Sequence, residues 1–171
     1  MGYVEHSTVR IIALHNTRAG LISIGLLVLT AMHHYYGGLI YRSNFRFHVA
    51  VFGGVGAVAI LGILLAHRTG SDSVLSNLTF WWLAIFIATT VGVIGMMEGG
   101  YNHLLKNVLY FSNASSPLTL RLFPLSSGYV MPNNALFEIT GFLQFFVALP
   151  AGYYFLRSLW TRFAQRVSKA A

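Results

Sequence analysis

The chain of 171 residues contains no cysteine, four acidic residues and four prolines. Without cysteine it has no disulfide, no thiolate-bound zinc and no iron–sulfur cluster, so nitrogen and oxygen atoms must hold any metal. Charged residues make up only 9% of the chain, whereas hydrophobic residues make up 56%. A soluble domain of this length could not cover so much apolar surface, because small folds expose a large share of their residues. The composition therefore favours a protein that lies in a lipid bilayer.

The formal net charge of +7 is the next unusual feature of the sequence. In a soluble protein such a charge would indicate nucleic-acid binding, but here the basic residues are scattered through predicted loops and the C-terminal region instead of forming one stripe. Membrane topology and anionic lipid explain this distribution better. We therefore expect the lipid bilayer as a partner and no nucleic acid.

Four apolar runs are each about 20 residues long, the length that crosses ~30 Å of hydrocarbon as a helix. They cover residues 18–40, 46–67, 79–105 and 135–158. The first two connections are short, which makes consecutive helices antiparallel neighbours. The third connection, residues 107–134, is longer and rich in proline and serine. We predict an all-α integral membrane protein, a single membrane domain over residues 1–171, with four transmembrane helices in an antiparallel bundle.

Four spans put both termini on the same side of the membrane. The predicted terminal side carries Arg10, Arg18, Arg68, Arg157, Arg162, Arg166 and Lys169, and the other side carries Arg42, Arg46, Lys106 and Arg121. The positive-inside rule then predicts that both termini are cytoplasmic and that the long loop faces outward. We expect this orientation in a bacterial inner membrane.

Ionisable residues collect at the predicted outer ends of all four helices. Six are candidate metal ligands: His33, His34, His48, Glu98, His103 and Glu138. An ionisable group at membrane depth costs at least a few kcal/mol unless it is paired, so such a cluster indicates function. Imidazole and carboxylate groups on facing helices bind iron, copper, zinc or manganese. We predict a metal centre here, oriented by hydrogen bonds from nearby polar side chains. The candidates for this supporting role are Tyr35, Tyr101, Asn102 and Lys106.

Helical geometry limits which candidates can share one ion. His33 and His34 are about 100° apart on an α-helix, so we expect one of them to bind the ion and treat them as interchangeable. Glu98 and His103 are five residues apart, about 140° on an α-helix, but the Gly99-Gly100 pair between them permits a π-bulge that brings them together. The preferred ligand set is His34, His48, Glu98, His103 and Glu138.

Two other interpretations use the same residues. Haem b would be held by an axial pair, His34 with His48, and a second haem by His15 with His67. On each of the two helices, the two members of these pairs are nineteen residues apart. Alternatively, the glutamates pair with basic residues and close the outer face as a structural salt-bridge network.

Proton or metal-ion transport is the least supported function. A transporter needs polar residues along the middle of its helices. The sequence offers only Ser23, Thr30, Thr89, Thr90 and Gln144 there.

The predicted function is an integral membrane metalloprotein, with a redox enzyme or an oxidoreductase subunit as the more specific hypothesis. Whether the chain is itself an enzyme stays open, because a closed coordination shell would make the same site structural. Small residues on one face of the second helix predict close packing against another helix, a further membrane subunit or a second copy of the chain. This patch consists of Ala50, Gly53, Gly54 and Ala57.

Overall fold

The computed structural model describes residues 2–69, 73–112, 116–123 and 132–170, which are helical except for turns and contain no strand. The elements are α1 Gly2–Tyr41, α2 Asn44–Thr69, α3 Ser73–Thr89, a π-helix Thr90–Leu105, α4 Lys106–Phe111, α5 Ser116–Leu122 and α6 Ala135–Ala170. The predicted all-helical fold is confirmed.

Four helical segments are long and apolar enough to cross a membrane. They are Ile11–Tyr41, Asn44–His67, Val74–Phe111 and Ala135–Ser168. Each of the four predicted runs lies within one of these segments. The helices are longer than the runs, because hydropathy marks only the part that suits hydrocarbon, whereas backbone hydrogen bonding continues into the polar region at the membrane surface.

A tight turn joins α1 to α2. Arg42 adopts a positive φ of 51°, and the Ser43 N–H donates to the Gly38 carbonyl over 3.1 Å. This is the hydrogen bond of a Schellman cap, which ends a helix by placing one residue in the left-handed conformation. The turn therefore fixes how α2 leaves the end of α1 that carries His33 and His34.

Helix α1 packs against α2 and α6, and the π-helix packs against α6. Between α1, α2 and α3 lies an apolar cluster formed by Ala19, Leu27, Ala57, Ile60, Leu64, Leu83 and Ile87. Gly53 permits the close approach of α2, because a Cβ atom there would lie 3.0 Å from the Leu27 carbonyl oxygen. Only part of the small-residue patch is used this way, since a Cβ atom on Gly54 would meet nothing within 4 Å.

The connection predicted at residues 107–134 contains most of α4 and all of α5. Residues 113–115 and 124–131 of it lie outside the described residues. The Tyr101 hydroxyl donates to the Leu122 carbonyl over 2.5 Å, and the Tyr101 ring packs against the buried Phe123. These contacts hold the end of α5 against the π-helix.

Candidate metal centre

The π-helix places Glu98 and His103 on the same side of one helix. Its hydrogen bonds join residues five apart, so side chains five apart lie roughly above one another. The π-bulge predicted from the glycine pair is present, as one turn of a longer π-helical segment. His103 is buried, with 2% of its surface exposed, and Glu98 is partly buried.

Three imidazole rings point their Nε2 atoms at a single oxygen of Glu98. The distances to Glu98 Oε1 are 3.4 Å from His103, 3.5 Å from His34 and 3.8 Å from His33. The ligand atoms of His33, Glu98 and His103 all lie within 4.8 Å of one another, so this group could hold a metal ion. These three residues form what we call the ligand group.

The hydrogen bonds around Thr140 favour one tautomer of a neutral His33 ring. His33 Nδ1 lies 3.0 Å from the Thr140 hydroxyl oxygen, and that hydroxyl donates to the Leu136 carbonyl over 2.8 Å. Because a hydroxyl has one proton and here directs it at the carbonyl, Nδ1 is the donor towards Thr140 in this arrangement. Nε2 of neutral His33 therefore carries a lone pair, is directed at Glu98 and has no hydrogen-bond partner in the described structure.

His103 is oriented in the same way by a different partner. Its Nδ1 lies 2.9 Å from Glu138 Oε2, and an ionised carboxylate can only accept, so Nδ1 is the donor. Lys106 and Asn107 donate to the same carboxylate over 3.1 and 2.7 Å. A carboxylate behind an imidazole is a common arrangement at metal sites, because it fixes the ring and makes its other nitrogen a better ligand.

Glu98 is held by its second oxygen. Asn102 Nδ2 donates to Glu98 Oε2 over 2.8 Å, which leaves Oε1 facing the histidines. When both rings are neutral, the lone pairs of His33 Nε2 and His103 Nε2 point at this carboxylate oxygen. Such a group of acceptors repels itself unless a cation or a proton lies between its members.

The dimensions of the ligand group suit a transition-metal ion. An ion with ligands at about 2.0–2.1 Å in tetrahedral geometry separates those ligands by about 3.3 Å. The distances from Glu98 Oε1 to the two imidazole nitrogens of the group, 3.4 and 3.8 Å, are close to that value. Small side-chain movements would bring all three atoms to bonding distance.

Close helix packing makes room for these side chains. A Cβ atom on Gly141 would collide with the His103 ring, and one on Gly99 would collide with the backbone of α6 at Phe145. Phe137 stacks on the His33 ring with 4.1 Å between centroids. Glycine at 99 and 141 is therefore required for the π-helix and α6 to approach closely enough to assemble the site.

The remaining predicted site residues lie around the ligand group or away from it. His34 is buried and its Nε2 lies close to Glu98 Oε1, although His34 is not a member of the ligand group. Glu138 hydrogen-bonds to Nδ1 of His103, the ring nitrogen that does not face Glu98. His48 is exposed and is not a member of the group. It precedes Gly53 by five residues, about 140° around α2 from the side that contacts α1. This rotation explains why the structure does not bring it to the other histidines.

The predicted supporting residues also divide. Asn102 and Lys106 hold the two glutamates. Tyr35 is exposed and packs its ring against Phe47, and Tyr101 is bonded to the Leu122 carbonyl. Sequence reasoning missed Thr140, which orients His33, because a threonine in an apolar helix carries no distinguishing pattern.

The two histidines of the proposed inner haem pair have protein neighbours. His67 Nδ1 lies 2.9 Å from the Thr79 hydroxyl, and the His15 ring lies 5.9 Å from the Tyr154 ring.

Comparison of the chain with protein-family models, with characterised proteins and with solved structures finds no match. Any functional conclusion therefore rests on the geometry of the ligand group.

Proposed function

We propose that this protein is an integral membrane metalloprotein that binds one divalent transition-metal ion through His33 Nε2, His103 Nε2 and Glu98 Oε1. The observation that carries the proposal is the convergence of two imidazole Nε2 atoms on one carboxylate oxygen, with both Nδ1 atoms engaged elsewhere. His34, 3.5 Å from the same oxygen, supports the carboxylate from the adjacent position of α1.

The ligand group differs from a structural salt-bridge network in its charges. Glu138 is neutralised by Lys106 at 3.1 Å, as such a network requires. Glu98 instead lies 3.4–3.8 Å from the imidazole nitrogens of His33, His34 and His103, which carry a positive charge only when protonated. We propose that a bound metal ion, in place of a proton on the histidines, supplies the positive charge that this carboxylate needs at membrane depth.

Two imidazoles and one carboxylate leave coordination positions open. This donor set is the one that non-haem iron(II) oxygenases use and is also found at catalytic zinc sites. We propose an open, chemically active centre and place iron first for a redox reaction, with zinc, manganese and copper as the other candidates. An oxidoreductase, or the metal-bearing subunit of one, is the corresponding enzyme class.

We further propose that the four spans form an antiparallel bundle with cytoplasmic termini and with the centre near the outer surface. The positive-inside rule supports this orientation. A cleft of about 320 Å³ lies beside Glu138 and Asn107 at the start of α6, with Asn134 and Phe142 also in its wall. A substrate or an ion from the outer side would reach the vicinity of His103 through this cleft.

The test is the metal content and the absorption spectrum of the full-length protein, purified in detergent without chelators. We expect about one transition-metal ion per chain and no Soret band. His33→Ala should abolish binding, whereas His48→Ala, at an exposed position on the neighbouring helix, serves as the matched control and should bind normally. A Soret band that His48→Ala removes would replace this proposal with a haem site, and a metal-free protein that takes up no added ion would refute it.

A further inference from the structure

A second set of polar residues is buried along the helices below the ligand group. On α1, Asn16, Ser23 and Thr30 recur every seven residues, and each is at most 4% exposed. On α6, Gln144 and Ser158 are fully buried. A seven-residue interval keeps side chains on one slowly drifting stripe of a helix, here a buried stripe. We call these five residues the polar column.

Contacts between α1 and α6 place the column at successive depths. His33 contacts Thr140, and Asn16 hydrogen-bonds to Ser158. Between these two contacts, α1 runs back seventeen residues, from His33 to Asn16. Over the same depth α6 runs forward eighteen residues, from Thr140 to Ser158. Thr30, three residues before His33, then lies at about the depth of Gln144. The column runs from the Asn16–Ser158 pair to the turn directly below the ligand group.

Several polar atoms of the column have no hydrogen-bond partner in the described structure. They are Asn16 Nδ2, Ser23 Oγ, and both Oε1 and Nε2 of Gln144. Thr30, by contrast, satisfies its hydroxyl on the Leu26 carbonyl at 2.8 Å. A buried unpaired polar group destabilises the fold, and buried water is the usual partner for such groups in proteins.

The spacing of the column suits bridging water. Seven residues rise about 10.5 Å along a helix, too far for one hydrogen bond but a distance that two or three water molecules span. Lipid offers no donor or acceptor that could satisfy Gln144 or Ser23 from outside the bundle. The unpaired amide of Gln144 lies where such a file would meet the turn that carries Glu98, since Gly99 packs against the Gln144 backbone.

We propose that the polar column binds a file of water molecules that connects the terminus-bearing end of the bundle with the underside of the ligand group. Water and protons then reach the centre from the side opposite to the Glu138 cleft. Only the endpoint of this route, the metal centre, rests on the proposed function. The unpaired polar atoms are buried whether or not a metal is bound.

The test uses the absence of cysteine, which makes any introduced thiol the only one in the chain. Ser23→Cys reports on the column, and Leu21→Cys, at a 54% exposed position two residues away on the lipid side, is the matched control. The full-length protein in lipid vesicles, with zinc present, is exposed to silver ions on both faces, and the remaining thiols are counted after denaturation. Thiolates form in water and not in hydrocarbon, so we expect Ser23→Cys to react at least about tenfold faster.

A second pair of cysteine variants shows whether the result depends on a local effect of one substitution. Gln144→Cys should also react at least about tenfold faster than Leu143→Cys, whose native side chain is 40% exposed. Equal rates within both pairs would overturn the water file. When Gln144→Leu is added to the Ser23→Cys variant, the introduced thiol should react with silver at an unchanged rate. Loss of that reaction would overturn the entry of water from the terminus-bearing end. Zinc content measured on the unsubstituted protein separates this result from a failure of the metal proposal.

Discussion

Two regions of α1 pack in opposite ways. Towards α2 and α3, Ala19 and Leu27 join the apolar cluster, where side chains meet without any hydrogen bond. Towards α6 and the π-helix, His33 and His34 join a network of imidazoles, carboxylates and an ammonium group. The same helix therefore carries a face that lipid could cover as well as protein does, and a face that only particular partners can cover.

This difference matters because a membrane weakens one of the usual forces. Lipid tails are as apolar as leucine, so burial of the apolar cluster contributes mainly through close packing. Removal of an ionised partner from the polar network leaves a charge at membrane depth. Substitutions should therefore affect stability modestly in the apolar cluster, and should affect ligand binding strongly and specifically in the network.

Glu98→Gln should have the largest effect. The amide keeps the shape of the side chain but removes the charged ligand, so we expect the metal dissociation constant to rise at least about 100-fold. In the metal-free protein the amide can donate to an imidazole lone pair, and the thermal midpoint should not fall. Isothermal titration with zinc and thermal unfolding without metal measure the two quantities. Unchanged zinc affinity would remove Glu98 from the site.

Glu138→Gln should have the next largest effect. It leaves Lys106 as a buried ammonium group without its counter-charge and weakens the hydrogen bond that orients His103. We expect zinc affinity to fall about 10- to 100-fold, the usual effect of losing a partner behind a ligand. Unlike Glu98→Gln, this variant should also be less stable without metal. Equal loss of stability in both variants would contradict the distinction between ligand and supporting residue.

Thr140→Val removes the oxygen that accepts from His33 Nδ1 without changing the size of the side chain much. Zinc affinity should fall about tenfold, because the ring can then adopt the other tautomer and rotate. Thr161→Val on the same helix is the control, since that hydroxyl donates only to the Arg157 carbonyl of its own helix in the structure. If both variants bind zinc equally well, Thr140 does not orient the ligand.

Ile60→Val should have the smallest effect of the four. Ile60 is fully buried in the apolar cluster, and loss of one methylene group lowers the free energy of unfolding by about 1 kcal/mol in protein cores. Zinc affinity should stay the same. Reversible unfolding in mixed micelles gives the first value, and titration with zinc gives the second. A change in zinc affinity would show that the two faces of α1 are coupled.

The sequence was sufficient to predict the helices and the depth at which ionisable groups cluster, because hydropathy and charge are local properties. It also indicated the π-bulge, because Glu98 and His103 are five residues apart around a glycine pair. The rotation of each helix was not predictable, since it depends on packing. For that reason His48 was favoured although it is exposed, and Thr140 was missed although it orients His33.

The same limit applies to the polar column. Five mid-helix polar residues were recognised in the sequence but judged too few to form a path. The structure buries Ser23, Thr30, Thr90 and Gln144, and leaves Thr89 exposed. Only helix rotation and the pairing of α1 with α6 reveal that Ser23 and Gln144 are buried without partners.

X-ray absorption spectroscopy of the zinc-loaded, full-length protein reports directly on the atoms that surround the bound ion. We predict a first shell of nitrogen and oxygen atoms at about 2.0–2.1 Å, with the outer-shell scattering of at least two imidazole rings. The imidazole contribution should weaken by about one ring in His103→Ala or be lost together with the zinc. A zinc shell without imidazole scattering, or a shell that His103→Ala leaves unchanged, would contradict the assignment of His33, Glu98 and His103 as the metal ligands.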